Sequence, residues 1–295
     1  MKVLILGSTG MLGNAVYKEF SEDDSFSVRR TKRGGQWAGD GSEYERDKRI
    51  GSKDSDDHYI IFDAIEDSRN GQGSLSNIWL QAGHDFDYII NCIGVIKPFI
   101  DKSPHHSAFL NGTFPHKLSE WAEENGSRVI HITTDCVFSG KDGGYNEDSV
   151  HDEVDFYGRS KSLGEPSNCM VLRTSIIGEE IHKNASLIAW VKSQAGNTIN
   201  GFTNHLWNGI TTNQYGKICM QIIKGGLYEE GLFHVFSPNP VNKLELVSAI
   251  NDRFDLNITI NPMEADPAID RTLSTNKDLN AILEIPEISE QIKNL

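Results

Sequence analysis

Cysteine is scarce in this chain, positive charge is outnumbered, and long apolar runs are missing. Only Cys92, Cys136, Cys169 and Cys219 occur in 295 residues, with no CxxC pair. That excludes a disulfide framework and a zinc site of ordinary Cys/His spacing, so no metal is expected and a reducing compartment is. Lys and Arg number 28 against 42 Asp and Glu, a net charge of −14. So acidic a surface repels nucleic acid and anionic lipid, which removes both as expected partners. No stretch approaches the roughly 20 apolar residues that span a bilayer. The opening MKVLILGSTG is apolar too briefly for a signal peptide. We expect a soluble, cytoplasmic protein, with a homodimer among its possible assemblies.

What is present alternates. Strand-like apolar runs at residues 2–6, 25–31, 59–62, 87–93, 128–133, 170–177 and 232–236 are interleaved with helical stretches at 13–20, 108–125 and 157–165, and Leu75, Ile78 and Trp79 add one helical stripe. This pattern predicts an α/β fold, a Rossmann-type doubly wound parallel sheet covered on both faces. Residues 33–57 turn rich in Gly, Asp and Lys and read as a mobile insertion or one containing a short helix. We expect residues 1–178 to form a dinucleotide-binding domain to which part of 213–240 returns. Residues 179–212 and 241–295 then make a smaller, interleaved C-terminal substrate lobe.

Gly7-Ser8-Thr9-Gly10-Met11-Leu12-Gly13 reads GxxGxxG between the first strand and the first helix. Glycines let the backbone approach a pyrophosphate, and the helix amino end offers free N–H groups to it; the blander reading is a tight turn without a ligand. An NAD site places an acid at the end of the second strand. Here Arg29-Arg30-Thr31-Lys32-Arg33 stands instead. The cluster is either a solvated basic face or a seat for the 2′-phosphate of NADP, with Lys32 and Arg33 as the contacts. NADP(H) is therefore the preferred cofactor and NAD(H) the possible one. Asp63, with Ala64 after it, is placed at the adenine, or else caps a helix.

Tyr157 and Lys161 stand four apart, on one helix face. A second YxxxK, Tyr44 to Lys48, lies in the polar insertion and lacks context. Tyr157 follows the strand that ends in Thr133-Thr134. A phenol titrating near 10 exchanges protons poorly at neutrality, and a nearby ammonium lowers that value. In this reading Tyr157 delivers a proton to a carbonyl oxygen, Thr134 holds that oxygen, and Lys161 lowers the phenol and meets the nicotinamide ribose.

The string His131-Ile132-Thr133-Thr134-Asp135-Cys136-Val137-Phe138-Ser139-Gly140 resembles the STDYVFDG segment of dTDP-4-dehydrorhamnose reductases, extended short-chain dehydrogenases. Tyr145-Asn146-Glu147-Asp148, Tyr157 to Glu165 (YGRSKSLGE) and Leu172-Arg173-Thr174-Ser175 resemble further segments of that family. The resemblance implies an NAD(P)-dependent oxidoreductase that reduces the C4 ketone of a nucleotide-diphospho-4-keto-sugar for surface polysaccharide synthesis. It places Cys92, Ile93 and Gly94 near the nicotinamide ribose, Asn111 on its helix, Asp135 beside the substrate, and Arg271 at the nucleotide diphosphate.

Two departures matter. The family's Gly-x-Pro-Thr segment is replaced by residues 202–212, FTNHLWNGITT; Trp207 and Asn208 are expected to line the sugar site, unless Trp207 packs in the core. Cys136 replaces a Tyr and copies the spacing of GDP-fucose synthases, which epimerise before reducing. On an extended strand its thiol would share a side with Thr134. That makes Cys136 a candidate base and His182 a candidate acid for epimerisation. Three readings remain: a simple reductase, an epimerase/reductase, and a non-enzymatic NADP-binding regulator. Sugar-nucleotide dehydratases carry Asp-Glu after the Thr, and Asp135-Cys136 lacks the second acid.

Overall fold

The computed structural model describes residues 1–33, 59–65, 74–83, 85–181 and 185–295. Its centre is a sheet of β1 (Lys2–Leu6), β2 (Ser27–Lys32), β3 (Tyr59–Ile61), β4 (Tyr88–Asn91), β5 (Arg128–Thr134), β6 (Met170–Thr174) and β11 (Gly231–His234). The order across it is β11-β6-β5-β4-β1-β2-β3, and every pairing is parallel. This is the doubly wound arrangement expected. The order reverses between β1 and β4, and in such sheets ligands settle at the carboxyl ends of the two strands flanking the reversal.

Period-2 alternation sends the strand residues to two cores. Val3 and Ile5 join Val16 and Phe20 of α1 (Met11–Ser21) on one face. Leu4 and Leu6 join Ile78 of α2 (Ser74–Ala82) on the other. These side chains are fully buried, each worth about 2 kcal/mol of transfer free energy. The second face is also covered by a compound helix: α3 (Pro104–Ala108), a π-helical turn (Phe109–Thr113) and α4 (Phe114–Glu124), whose Phe114, Leu118 and Ala122 pack inward. The sequence reads residues 108–125 as one helix. The structure widens it at Asn111, just ahead of Pro115, which has no N–H to continue a regular ladder.

The chain after β6 builds a second core. In chain order, β7 (Ile176–Ile177) and α6 (Leu187–Ser193) lead to β8 (Thr198–Phe202), β9 (His205–Trp207) and β10 (Ile210–Thr211). Then α7 (Thr212–Lys224) returns to the main sheet, where Tyr215, Ile218 and Ile222 pack against α1 residues. After β11 come β12 (Val241–Asn242), α8 (Lys243–Phe254), β13 (Thr259–Met263) and β14 (Ile269–Asp270). Ile188, Val191, Leu246, Ile250 and Ile292 fill the second core. Leu279 and Leu283 of α9 (Leu279–Leu283) instead enter the main-sheet core, although the sequence assigns all of 241–295 to the lobe. The last helix is α10 (Ile288–Lys293). Among the described residues no helix is long and apolar enough to cross a membrane.

Candidate active site

The glycine turn sits at the end of β1. Gly7 has φ +76°, in the left-handed region. A β-carbon there would stand 3.1 Å from Ile93 Cγ1 and 3.2 Å from the Cys92 backbone. A β-carbon on Gly13 would collide with the Gly7 carbonyl oxygen. The turn is fastened to β2 by Thr31: Gly7 N donates to Thr31 Oγ1 (3.0 Å) and Ser8 Oγ donates to Thr31 O (2.9 Å). The Gly10 N-cap gives α1 no side-chain cap, and the first turn holds no acid. Bare N–H groups and an uncompensated dipole end are what a pyrophosphate requires. Ser8, Thr9, Met11 and Leu12 complete that stretch.

At the β2 end the basic cluster divides by alternation. The Arg30 guanidinium lies between the Tyr17 and Tyr59 rings, 3.8 and 4.0 Å from their centroids, and Lys32 Nζ stands 4.6 Å from the Tyr59 centroid. Arg33 is exposed. The Asp63 carboxylate accepts from Ile65 N (2.9 Å), the local capping bond that is its blander reading, and Ala64 is buried in the core.

On the other side of Cys92–Gly94 lies the second constellation. Asp155 caps α5 (Phe156–Ser162), its Oδ1 accepting from Gly158 N at 2.7 Å. Lys97 pairs with its Oδ2 at 2.6 Å and stands 5.9 Å from the Tyr157 ring centroid. The Tyr157 phenol lies close enough to the Thr134 hydroxyl for Thr134 to favour its ionised form. Thr134 Oγ1 donates to Asp135 Oδ1 and accepts from Cys136 N, both 3.1 Å. Lys161 is buried, its Nζ only 2.8 Å from where a β-carbon on Gly94 would stand. Asn111 ties these parts together. Its Oδ1 accepts from Val95 N (2.8 Å), and its Nδ2 donates to Val95 O (2.9 Å) and Ser160 Oγ (3.1 Å). The π-helical turn aims this amide at both partners. Lys97 and Ser160 were not singled out in the sequence, because neither carries a motif of its own.

Burial dominates the titration of the site. It lowers Lys161 to about 8, with Glu165 opposing. It raises the Tyr157 phenol well above 10, helped by Cys136 and opposed by the Thr134 hydroxyl. Desolvation of the phenolate sets the direction of this shift, opposite to the one expected from a nearby ammonium. Burial and the neighbouring Asp135 push the Cys136 thiol up to about 12. Burial likewise raises Asp135, with Arg271 opposing. Cys136 also sits in a 3₁₀ turn (Asp135–Val137), not on the extended strand expected.

Behind α5, Arg173 is fully buried and holds Glu165 through Nε (3.2 Å) and Nη2 (2.6 Å). The same guanidinium meets His234 Nε2 at 2.9 Å and His151 Nε2 at 2.6 Å. Arginine only donates, so both imidazoles accept there as neutral rings. His234 Nδ1 then donates to Ser274 O at 2.7 Å.

Three residues of the lobe expected at the substrate have partners within the protein. Trp207 is buried in the second core, its packing alternative. Asn208 is buried, with Nδ2 donating to Leu273 O and Oδ1 accepting from Leu273 N, both 2.8 Å, so the amide is taken up by the backbone of Leu273. Arg271 binds Phe138 O through Nε (2.9 Å) and Glu153 Oε2 through Nη2 (2.8 Å), so its charge is matched within the protein. His182, the Tyr44–Lys48 pair and the insertion from residue 34 to 57 lie outside the described residues. Among the described residues no group of His, Cys, Asp and Glu is arranged to hold a metal ion.

A family model described as the RmlD substrate binding domain matches residues 1–291. Methionine adenosyltransferase 2 subunit beta of Danio rerio is 27% identical over 283 residues, 90% of this chain and 78% of the relative. A protein of Haloferax volcanii named "Probable low-salt glycan biosynthesis reductase Agl14" is 28% identical over 171 residues, 54% of this chain and 56% of the relative. Among solved structures, the dTDP-4-dehydrorhamnose reductase of Bacillus anthracis in complex with NADP superposes with a TM-score of 0.73 at 17% identity, covering 99% of this chain and 97% of that one.

Proposed function

This chain belongs to the family of the RmlD substrate binding domain, and from that membership we propose that it is an NADP(H)-dependent oxidoreductase of the extended short-chain type. Its substrate in this reading is a keto-sugar nucleotide, reduced at the C4 ketone in the cytosol for surface polysaccharide synthesis. One observation carries the reading. The short segment Cys92–Gly94 touches the glycine turn through Gly7 and the buried ammonium through Gly94, so a cofactor on the turn reaches the Tyr157–Lys161 helix across a single loop.

The residues present fit a dinucleotide: Gly7 and Gly13, where β-carbons would collide with neighbouring protein atoms, keep the turn tight, and the α1 amino end has no cap of its own. Lys32 and Arg33 suit a 2′-phosphate, with NAD(H) as the weaker cofactor. When bound, NADPH supplies the hydride. The chain's own groups do the rest. Tyr157, held protonated by burial, delivers its proton to the substrate oxygen, a role worth about 10²–10⁴ in rate. Thr134, oriented by Asp135 and the Cys136 N–H, hydrogen-bonds that oxygen. Lys161, fixed beside Gly94, would hold ribose hydroxyls of the cofactor. The lobe built around α6 and α8 would supply the remaining contacts to the sugar nucleotide.

Epimerisation through Cys136 is not part of this reading, because a thiol at about 12 holds almost no thiolate near neutrality. The relative named as a methionine adenosyltransferase subunit favours a second reading, an NADP-binding subunit without its own turnover. The experiment that separates the two is NADPH oxidation against a panel of keto-sugar nucleotides, with NMR of the product. Turnover that yields a new carbinol supports the reductase; cofactor binding without oxidation of NADPH by any of them supports the subunit.

A further inference from the structure

Residues 92–95, the loop between the glycine turn and Lys161, are held at both ends by buried carboxamides. At the far end Asn111 binds both backbone groups of Val95 and is itself oriented by Ser160 Oγ on α5. At the near end stands Asn91, the last residue of β4, whose Oδ1 accepts from Ile93 N at 3.1 Å. Its Nδ2 lies 3.0 Å from His131 Nδ1. Asn91 and His131 are neighbours in the parallel register of β4 and β5, so their side chains leave the sheet on the same face. The Ile93 N–H can only donate, which turns the Asn91 oxygen to the loop and the amide nitrogen to the ring. That nitrogen also only donates, so His131 Nδ1 accepts and the ring is neutral. Burial, with the Lys161 charge adding to it, lowers His131 to about 3 and keeps it so.

The other ring nitrogen, Nε2, is buried with no hydrogen bond of normal geometry among the described residues. The polar work of the ring is therefore its bond to Asn91. The plain alternative is a histidine that only fills space beside the sheet. An apolar side chain would fill that space without leaving a buried N–H unpaired, which is costly. What Asn91 holds is the wall of the proposed cofactor site. Ile93 Cγ1 and the Cys92 backbone stand 3.1 and 3.2 Å from where a β-carbon on Gly7 would be, and Gly94 abuts the Lys161 ammonium. A rotation of the Ile93 peptide would shift both contacts. We propose that His131 is a positioning residue: through Asn91 it sets the Ile93 peptide, and with it the surface offered to the cofactor between the glycine turn and Lys161. This rests on the dinucleotide reading of that turn and not on the identity of the reaction.

The test uses the full chain and three substitutions. His131→Asn places an oxygen where Nδ1 stood and keeps the acceptor. His131→Gln carries its polar atoms out toward the Nε2 position, and His131→Leu has none, so both lose it. Two quantities are read, at a temperature where a thermal melt shows each protein folded. One is the exchange rate of the Ile93 amide by NMR, with the Val95 amide, held by Asn111, as internal reference. The other is NADPH affinity by fluorescence titration. In His131→Gln and His131→Leu, Ile93 should exchange about tenfold faster with Val95 unchanged. NADPH should bind about tenfold more weakly, the weight of one hydrogen bond. His131→Asn should stay within about threefold of wild type in both. If His131→Leu fails to fold, His131→Gln against His131→Asn decides. Ile93 exchange alike in all the proteins, NADPH bound alike by all, or affinity lost equally in all three variants overturns the proposal. A wild type that binds no NADPH rejects the dinucleotide reading and the proposal with it. Affinity that follows the acceptor in a protein that reduces no keto-sugar nucleotide retains the proposal and rejects the reductase.

Discussion

The Lys161 ammonium occupies the space that a β-carbon on Gly94 would need, 2.8 Å from that point. Gly94 does not have a positive φ, so an alanine there strains nothing but this contact, and the group that must yield is the end of a flexible side chain. Gly94→Ala should therefore fold normally, with a melting temperature within about 2 °C of wild type. Its kcat should fall about 10²-fold, because a shift of about 1 Å in a positioned group costs that much. Steady-state kinetics beside a thermal melt check both; unchanged kcat removes Lys161 from the site.

His234 makes folding stability sensitive to acid. It is buried, and its pKa lies at about 4 because burial and the Arg173 charge disfavour the imidazolium. Between about 4 and 6.5 the unfolded chain binds more protons than the folded one, so stability falls as pH drops through that window. The slope is about 1.4 kcal/mol per pH unit and the total about 3 kcal/mol. His131, at about 3, and His151 shift the same way. Urea melts at pH 7 and pH 5 should give His234→Gln a shallower pH dependence than wild type. An equal dependence contradicts the assignment.

Cofactor choice is expected to follow the β2 end. Reversing charge at Lys32 and Arg33 to Glu should move the kcat/KM ratio from NADPH toward NADH by about tenfold or more, since each cation contributes a charge-assisted bond to a 2′-phosphate. An unmoved ratio assigns that phosphate to other groups.

Cys136→Ser should leave the reduction rate within about twofold of wild type, because a thiol held at about 12 contributes no thiolate. Solvent deuterium at a sugar carbon next to the ketone, present with wild type and lost in this variant, would contradict that and restore epimerisation.

The parts of the site legible in the sequence are those whose chemistry is local. The glycine turn declares itself between a strand and a helix, and Tyr157 and Lys161 share a face by spacing alone. The parallel sheet covered on both faces follows from the alternation of buried strand runs with helices. What could not be read depends on partners far along the chain. The Asn208 amide meets the Leu273 backbone, so a side chain expected at the sugar holds two distant stretches of chain together. The ion pair of Arg271 with Glu153 joins residues 118 positions apart and is invisible in the sequence. Asn111 lies in a π-helical turn, which hydrophobic periodicity does not distinguish from an α-helix. The sign of the Tyr157 shift is set by burial of the phenolate, which the spacing of Tyr157 and Lys161 does not reveal.

The most direct test is a single comparison of wild type and Tyr157→Phe, each with NADPH and a dTDP-4-keto-6-deoxysugar. Absorbance at the reduced nicotinamide band follows turnover, and fluorescence titration follows cofactor binding. The account predicts oxidation of NADPH by wild type, and in Tyr157→Phe a loss of at least about 10²-fold with cofactor affinity kept. Full activity in the variant, or a wild type that binds NADPH and oxidises none, would contradict it.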